Sequence, residues 1–112
     1  MNNIFPEFIK ILPKADIKID GCEAYLIQGE TQQIIFAYVK NDTILAKHKH
    51  DSQWEIVLEG KVDLIVNNKE KKCYCKGDSF YIPPNVYHSA FIYAGYSSII
   101  IFNQKDRYRT LQ

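Results

Sequence analysis

Punctuation restricts this chain more than any other feature. Turn signals recur at Asp20-Gly21, Gly29-Glu30, Asn41-Asp42, Gly60, Asn67-Asn68, Gly77-Asp78, Pro83-Pro84-Asn85 and Gly95. Each supplies a residue that tolerates positive φ or a proline that fixes φ at a negative value. Between them lie short runs rich in β-branched and aromatic residues, at 17–19, 22–28, 33–40, 43–50, 54–58, 61–66, 71–76, 79–82, 88–94 and 96–103. Strands at roughly 8–12-residue spacing, with almost no helical periodicity, predict an all-β sandwich or barrel. The exception is 5–12, where Pro6, Glu7 and a closing Pro13 predict a helix of about two turns.

Composition sets the outer bounds. A chain of 112 residues is one domain's worth, so a single domain over 1–112 is expected. The 14 Lys+Arg and 13 Asp+Glu leave a net charge of +1, with the two signs interspersed. Neither nucleic acid nor an acidic membrane is therefore an expected partner. No apolar run approaches the ~18–20 residues needed to span a bilayer, and Pro6, Glu7 and Lys10 interrupt any leader-like stretch. Three cysteines make no disulfide framework and predict reduced thiols in a cytoplasm. Cys73 and Cys75, flanking Tyr74, are expected to be packed and reduced, with Cys22 in the core. The polar tail 105–112 is expected to trail off or dock on a neighbour.

Alternation assigns faces. Val62, Leu64 and Val66 share one side of a strand and Asp63 takes the other, so that strand has one dry face. Within 43–50, Ile44, Ala46, His48 and His50 share a face opposite Leu45, Lys47 and Lys49. Two histidines at i, i+2 stand ~6–7 Å apart at Cα and converge in front of the sheet. That suits a divalent first-row metal, whose imidazole nitrogens lie about 2.0–2.1 Å away. The pair alone fits two surface histidines equally well. His88, directly after the Pro83-Pro84-Asn85 turn, is the third histidine and could meet the other two.

Two spaced motifs make residues 33–103 resemble the cupin superfamily of small β-barrels. The first, at 42–60, is a Gly, five residues, His-x-His, a short turn, an acidic position and a closing Gly, with Asp42 standing for the first Gly. Asp is acceptable there as a turn residue that tolerates positive φ. The second, at 77–92, runs from Gly77 through Pro83-Pro84-Asn85 to His88, with Asn85 for the second Gly and Ile92 where the family has Asn. The 16 residues between Gly60 and Gly77 form the inter-motif hairpin of small cupins, turning at Asn67-Asn68. The resemblance implies a double-stranded β-helix, or jelly-roll barrel, preceded by the short N-terminal helix.

The departure from the pattern falls on the acidic ligand. Counting back seven residues from Gly60 lands on Gln53, whereas counting forward from His50 lands on Glu55. Register is set by the strand rather than the turn, which favours Gln53. The ligand set implied is His48, His50, Gln53 and His88, around one divalent transition metal per chain (Fe, Mn, Ni, Co, Cu or Zn). By period 2, Glu55 faces inward with Gln53 and Val57. It would act as a general base with a pKa raised by burial, hold a histidine N–H, or replace Gln53 as ligand.

Three neutral imidazoles and a neutral amide leave the ion's charge of +2 uncompensated, which favours an anionic, chelating small molecule. Ala90 and Ile92, on the face of His88, make an apolar floor suited to a compact ligand. The implied function is a small metal-dependent enzyme of the oxygenase (dioxygenase-like), isomerase or lyase type. Its substrate would be a compact organic acid, sugar or carbonyl compound. A non-catalytic ligand-binding or sensing module is the alternative, and a barrel with a vestigial site a third. Trp54 is expected to face outward, and Tyr81, Tyr87, Tyr93 and Tyr96 to gather around the second motif, as core by default. Exposed sheet edges, with the apolar runs 34–36 and 99–102, predict a homodimer.

Overall fold

The computed structural model describes residues 2–111; Met1 and Gln112 lie outside the described residues. After a single-turn helix α1 (Glu7–Lys10) the chain forms β1 (Cys22–Gln28), β2 (Gln33–Val39), β3 (Thr43–His48), β4 (Gln53–Glu59), β5 (Lys61–Val66), β6 (Lys72–Cys75), β7 (Ser79–Ile82), β8 (His88–Ile92) and β9 (Tyr96–Phe102). These make a larger sheet ordered β1-β2-β9-β4-β7 and a smaller one ordered β3-β8-β5-β6. All the pairings are antiparallel. Only the β1–β2 and β5–β6 connections stay within a sheet, so the chain winds back and forth between the two as a jelly roll.

The alternation read in β5 explains why the sheets close on each other. Val62 and Leu64 point in and join Ile92 of the smaller sheet against Val39, Val57, Phe80, Ile82 and Tyr96 of the larger. A second cluster, around Ile35, Ala37, Leu26 and Phe102, extends this core toward β1. The β5–β6 hairpin turns at Asn67 and Asn68, with φ of 55° and 56°, the paired left-handed residues that a tight two-residue hairpin requires.

Five expectations about the helix, the strands and their turns need correction. The helix is four residues, not two turns: none of its residues is fully buried, and so short a helix gains little from its own hydrogen bonds. Phe5 anchors this segment instead, edge-on to Tyr25 and Phe36. Residues 17–19 are not a strand. Pairing occurs one step earlier, where Lys14 bridges Tyr25 and Ala15 bridges Thr110. Asp42 does not adopt positive φ among the described residues; its carboxylate accepts the N–H of Ala94 at 2.8 Å, tying the start of β3 to the β8–β9 turn. Cys73 and Cys75 are exposed, because the inward position between them belongs to Tyr74, which packs on Phe80.

The fifth correction concerns phase. Ile44 is 77% exposed, while Leu45 packs on the core, the reverse of the assigned faces. A register shift between Leu45 and His48 then inserts an irregularity into β3. An extra residue on one strand reverses the side on which all later side chains emerge. His48 therefore reaches the interior because the alternation breaks, not because it continues.

Gly60 tests how tightly the β4–β5 turn is built. Its φ is +75°, and a methyl group there would stand 3.0 Å from the Tyr96 Cα. Gly60→Ala should cost about 1–3 kcal/mol and lower the thermal midpoint by several degrees. Asn85, at φ 59°, should accept glycine within about 1 kcal/mol. Thermal unfolding of both variants checks the pair.

Candidate metal centre

His48 closes β3 and His88 opens β8, and the two are direct cross-strand partners in the smaller sheet. His50 lies two residues beyond the strand, where its carbonyl accepts the Asn85 N–H at 2.8 Å. The left-handed Asn85 thus lets the proline turn fold back and clamp the segment carrying His50. Gln53, the first residue of β4, sits in the larger sheet between Ile82 of β7 and Phe102 of β9. Residues from both sheets meet at this end of the barrel.

The three imidazoles converge. Ring centroids lie 4.2 Å apart for His48–His88, 4.8 Å for His50–His88 and 5.3 Å for His48–His50. One ligating atom from each lies within 4.8 Å of the other two. Every Nδ1 is bonded to a backbone carbonyl: His48 to Ala46 at 2.8 Å, His50 to Asp51 at 2.7 Å and His88 to Val86 at 3.0 Å. A carbonyl can only accept, so each Nδ1 carries the proton and each Nε2 presents a lone pair. This is the arrangement that orients histidines for a metal. Burial pushes the His50 pKa down to about 4, aided by the nearby Arg107, and lowers that of His88 as well. Both rings are neutral at pH 7 and available as ligands.

Beside the rings, Gln53, Glu55 and Val57 all face inward and are buried, while Trp54 points out. The Gln53 Nε2 donates to Glu55 Oε1 at 3.1 Å, leaving the amide oxygen as the atom Gln53 can offer an ion. The Tyr96 hydroxyl donates to the other carboxylate oxygen. Glu55 is not among the residues whose ligating atoms converge with the histidines. Burial pushes its pKa up to about 7, against the opposing pull of the Tyr96 and Gln53 hydrogen bonds. Tyr96, raised by burial and by the Glu55 charge, remains a phenol. Of the four tyrosines near the second motif, Tyr96 alone is buried; Tyr81 and Tyr87 are exposed.

These groups line a narrow cavity of about 90 Å³. Ala90 and Ile92 contribute its apolar wall, with Leu45 and Cys22. Cys22 is half-buried, and burial pushes its thiol up to about 11. The polar tail supplies a group that sequence reasoning missed. Instead of trailing off, it docks on its own chain: the Gln33 side chain bonds both backbone groups of Tyr108, at 2.8 and 3.0 Å. Further along, the Asp16 N–H donates to the Arg109 carbonyl at 2.7 Å.

This docking brings Arg107 to the cavity, its guanidinium 4.3 Å from the Tyr108 ring centroid and 5.5 Å from that of Phe102. No carboxylate pairs with Arg107 among the described residues, and its Nε is buried without a hydrogen-bond partner. Nothing in the linear pattern of the tail signals this placement.

The opposed shifts of His50 and Glu55 give the metal-free protein a defined pH response. The folded state binds more protons than the unfolded at Glu55 between pH 4.5 and about 7, so Glu55 adds stability as pH falls through that window. His50 does the opposite between pH 6.5 and about 4. Glu55→Gln removes only the first contribution. The thermal midpoint of the parent relative to Glu55→Gln should therefore rise by several degrees between pH 8 and pH 5, measured with a chelator present.

Comparison with known proteins agrees with this fold. The family model described as "Cupin domain" matches residues 35–95, more than half of the chain. Among solved structures, an RmlC-like cupin from Shewanella frigidimarina superposes with a TM-score of 0.71 at 24% identity, covering 85% of this chain and 86% of that one. KdgF from a Halomonas species gives 0.69 at 18%, covering 82% and 87%. Oxalate decarboxylase of Bacillus subtilis, described with Mn(II) centres, gives 0.72 at 18%; 89% of this chain covers 30% of that larger one. Comparison with curated proteins by sequence finds no match. With both motifs in the matched segment and a jelly-roll barrel around them, the chain belongs to the cupin family.

Proposed function

We propose that the protein is a metal-dependent enzyme acting on a compact, anionic, chelating small molecule. The observation that carries this reading is the set of three Nδ1-bonded histidines, whose ligating atoms lie within 4.8 Å of one another in a cavity that Gln53 also lines. His48, His50 and His88, with the Gln53 amide oxygen, would hold one divalent transition ion per chain; manganese is the first to try, given the Mn(II) centres of oxalate decarboxylase. When bound, the ion supplies Lewis-acid polarisation and a point of chelation.

The chain's own groups do the rest. Glu55, half-protonated near pH 7, takes a proton from the substrate or returns one at its carboxylate. Tyr96 and Gln53 hold that carboxylate still. Arg107 faces the cavity as an unpaired cation and receives a substrate carboxylate, while Leu45, Ala90 and Ile92 exclude water. An enzyme of the isomerase, lyase or oxygenase type fits this inventory. The buried acid lining the same cavity as the histidines favours an enzyme over a sensing module.

Protein purified without an affinity tag should carry about one transition metal per chain. His48→Ala and His88→Ala should lose it while keeping the far-UV circular dichroism of the parent. Glu55→Gln should keep the ion. Arg107→Gln should weaken binding of a small dicarboxylate such as oxalate by about 10–100-fold. A parent that neither contains metal nor takes it up would contradict the proposal.

We further read the whole chain as one domain that pairs as a homodimer in a reducing cytoplasm. Three free thiols, two of them exposed, suit that compartment. No helix among the described residues is long and apolar enough to cross a membrane. On the outer face of the larger sheet, Ile27, Ile34, Ile101, Trp54 and Tyr81 are successive cross-strand partners, an apolar row spanning all five strands. Ile27, Trp54 and Tyr81 are exposed. Such a row is a self-complementary surface for a twofold contact. Ile101→Glu should convert a dimer into monomers in sedimentation velocity at micromolar concentration; a monomeric parent would refute the contact.

A further inference from the structure

Two cysteines stand where packing has no use for them. Cys73 and Cys75 lie on β6, the edge strand of the smaller sheet, and both are exposed. Cysteine is otherwise among the most buried residue types. Residues i and i+2 of a strand share a face, and here the two Sγ atoms stand 4.0 Å apart as each other's hydrogen-bond partners. Asp63 on β5 is the direct cross-strand partner of Cys73. The Tyr93 hydroxyl, first among its neighbours, holds the Asp63 carboxyl below its usual range and keeps it anionic. This cluster lies outside the residues that line the histidine cavity.

We propose that Cys73 and Cys75 form a second cation site, a dithiolate clamp for a soft monovalent ion of the Cu(I) class. Two thiolate–metal bonds of about 2.3 Å span about 4.6 Å in a line and about 3.8 Å at a tetrahedral angle. A separation of 4.0 Å lies between, suiting an ion that accepts two or three ligands. Zinc wants four, and no third Cys, His, Asp or Glu converges on this pair among the described residues. Thiolates select soft ions over the harder ones that imidazole and amide oxygen favour, so the two sites take different metals.

Binding replaces both thiol protons with the cation and releases them to solvent; no electron moves. The anionic Asp63 beside the pair favours a cation there. Desolvation, Asp63 and Cys75 all raise the Cys73 pKa. Without metal it stays a thiol, so the ion must displace its proton and binding strengthens as pH rises.

Anaerobic titration with Cu(I) against a competing chelator tests the site, in a His48→Ala/His88→Ala background that silences the histidine centre. One equivalent should bind. Cys73→Ser/Cys75→Ser should abolish that equivalent, and Cys73→Ser alone should weaken it by at least about 100-fold through loss of chelation. In the parent, one equivalent of Cu(I) should slow alkylation of Cys73 and Cys75, read by peptide mass spectrometry with Cys22 as internal reference. Equal Cu(I) affinity in the double serine variant, or unprotected alkylation in the parent, would overturn the proposal. So would recovery of Cys73–Cys75 as a disulfide from protein kept anaerobic throughout.

Discussion

Each of the three histidines commits its Nδ1 proton to a backbone carbonyl one or two residues away, and the candidate centre depends on those short-range bonds. An imidazole has two nitrogens and, when neutral, one proton; fixing the proton on one nitrogen fixes the lone pair on the other. The carbonyl partners are local, so they form whenever the backbone around Ala46, Asp51 and Val86 takes its native path. That path is set by the His48–His88 cross-strand pair and by the Asn85 N–H on the His50 carbonyl. Ligand orientation is thus a product of strand pairing and one left-handed turn residue. It does not wait for a metal.

Around this centre the barrel encloses more polarity than a core of its size would keep for packing alone. Gln53 and Glu55 point into the space between the two sheets, and Tyr96 joins them from β9. Burying a carboxylic acid raises its pKa unless hydrogen bonds to the charged form compensate. Here burial outweighs them, placing Glu55 near neutrality. The same desolvation keeps His50 and His88 uncharged. Arg107 is then the cation of the cavity, held against the rings of Tyr108 and Phe102 rather than by an acid. A site with an unpaired guanidinium, neutral imidazoles and a half-titrated acid is electrostatically prepared for an anion.

Much of the fold was legible in the sequence because turns and alternation are local. The turn residues delimit the strands, and the Val62, Leu64, Asp63 pattern correctly orients β5. The convergence of His48, His50 and His88 was legible through two spaced motifs rather than through alternation, which assigned β3 the wrong phase. A register shift has no sequence signature in the run Ile44-Leu45-Ala46-Lys47, since apolar residues occupy both of its alternating faces.

The inward side of Gln53 and Glu55 followed from period 2 in a strand without irregularity up to Val57. Arg107 could not be read at all. Its place depends on Gln33, 74 residues earlier in the chain, gripping the backbone of Tyr108. The exposed Cys73 and Cys75 were misjudged for a related reason: alternation says that they share a face, but not which face meets the core.

The central claim is that the Nε2 atoms of three tautomer-fixed histidines, with the Gln53 amide oxygen, enclose one transition ion beside an acid that does not bind it. Anomalous diffraction at the metal's absorption edge, from crystals of protein loaded with Mn(II), tests this most directly. The account predicts one strong peak per chain, bonded to Nε2 of His48, His50 and His88 and to Gln53 Oε1, with the Glu55 carboxylate still on Tyr96. A peak bonded to Glu55 in place of Gln53, to any Nδ1, or absent from this end of the barrel would contradict it.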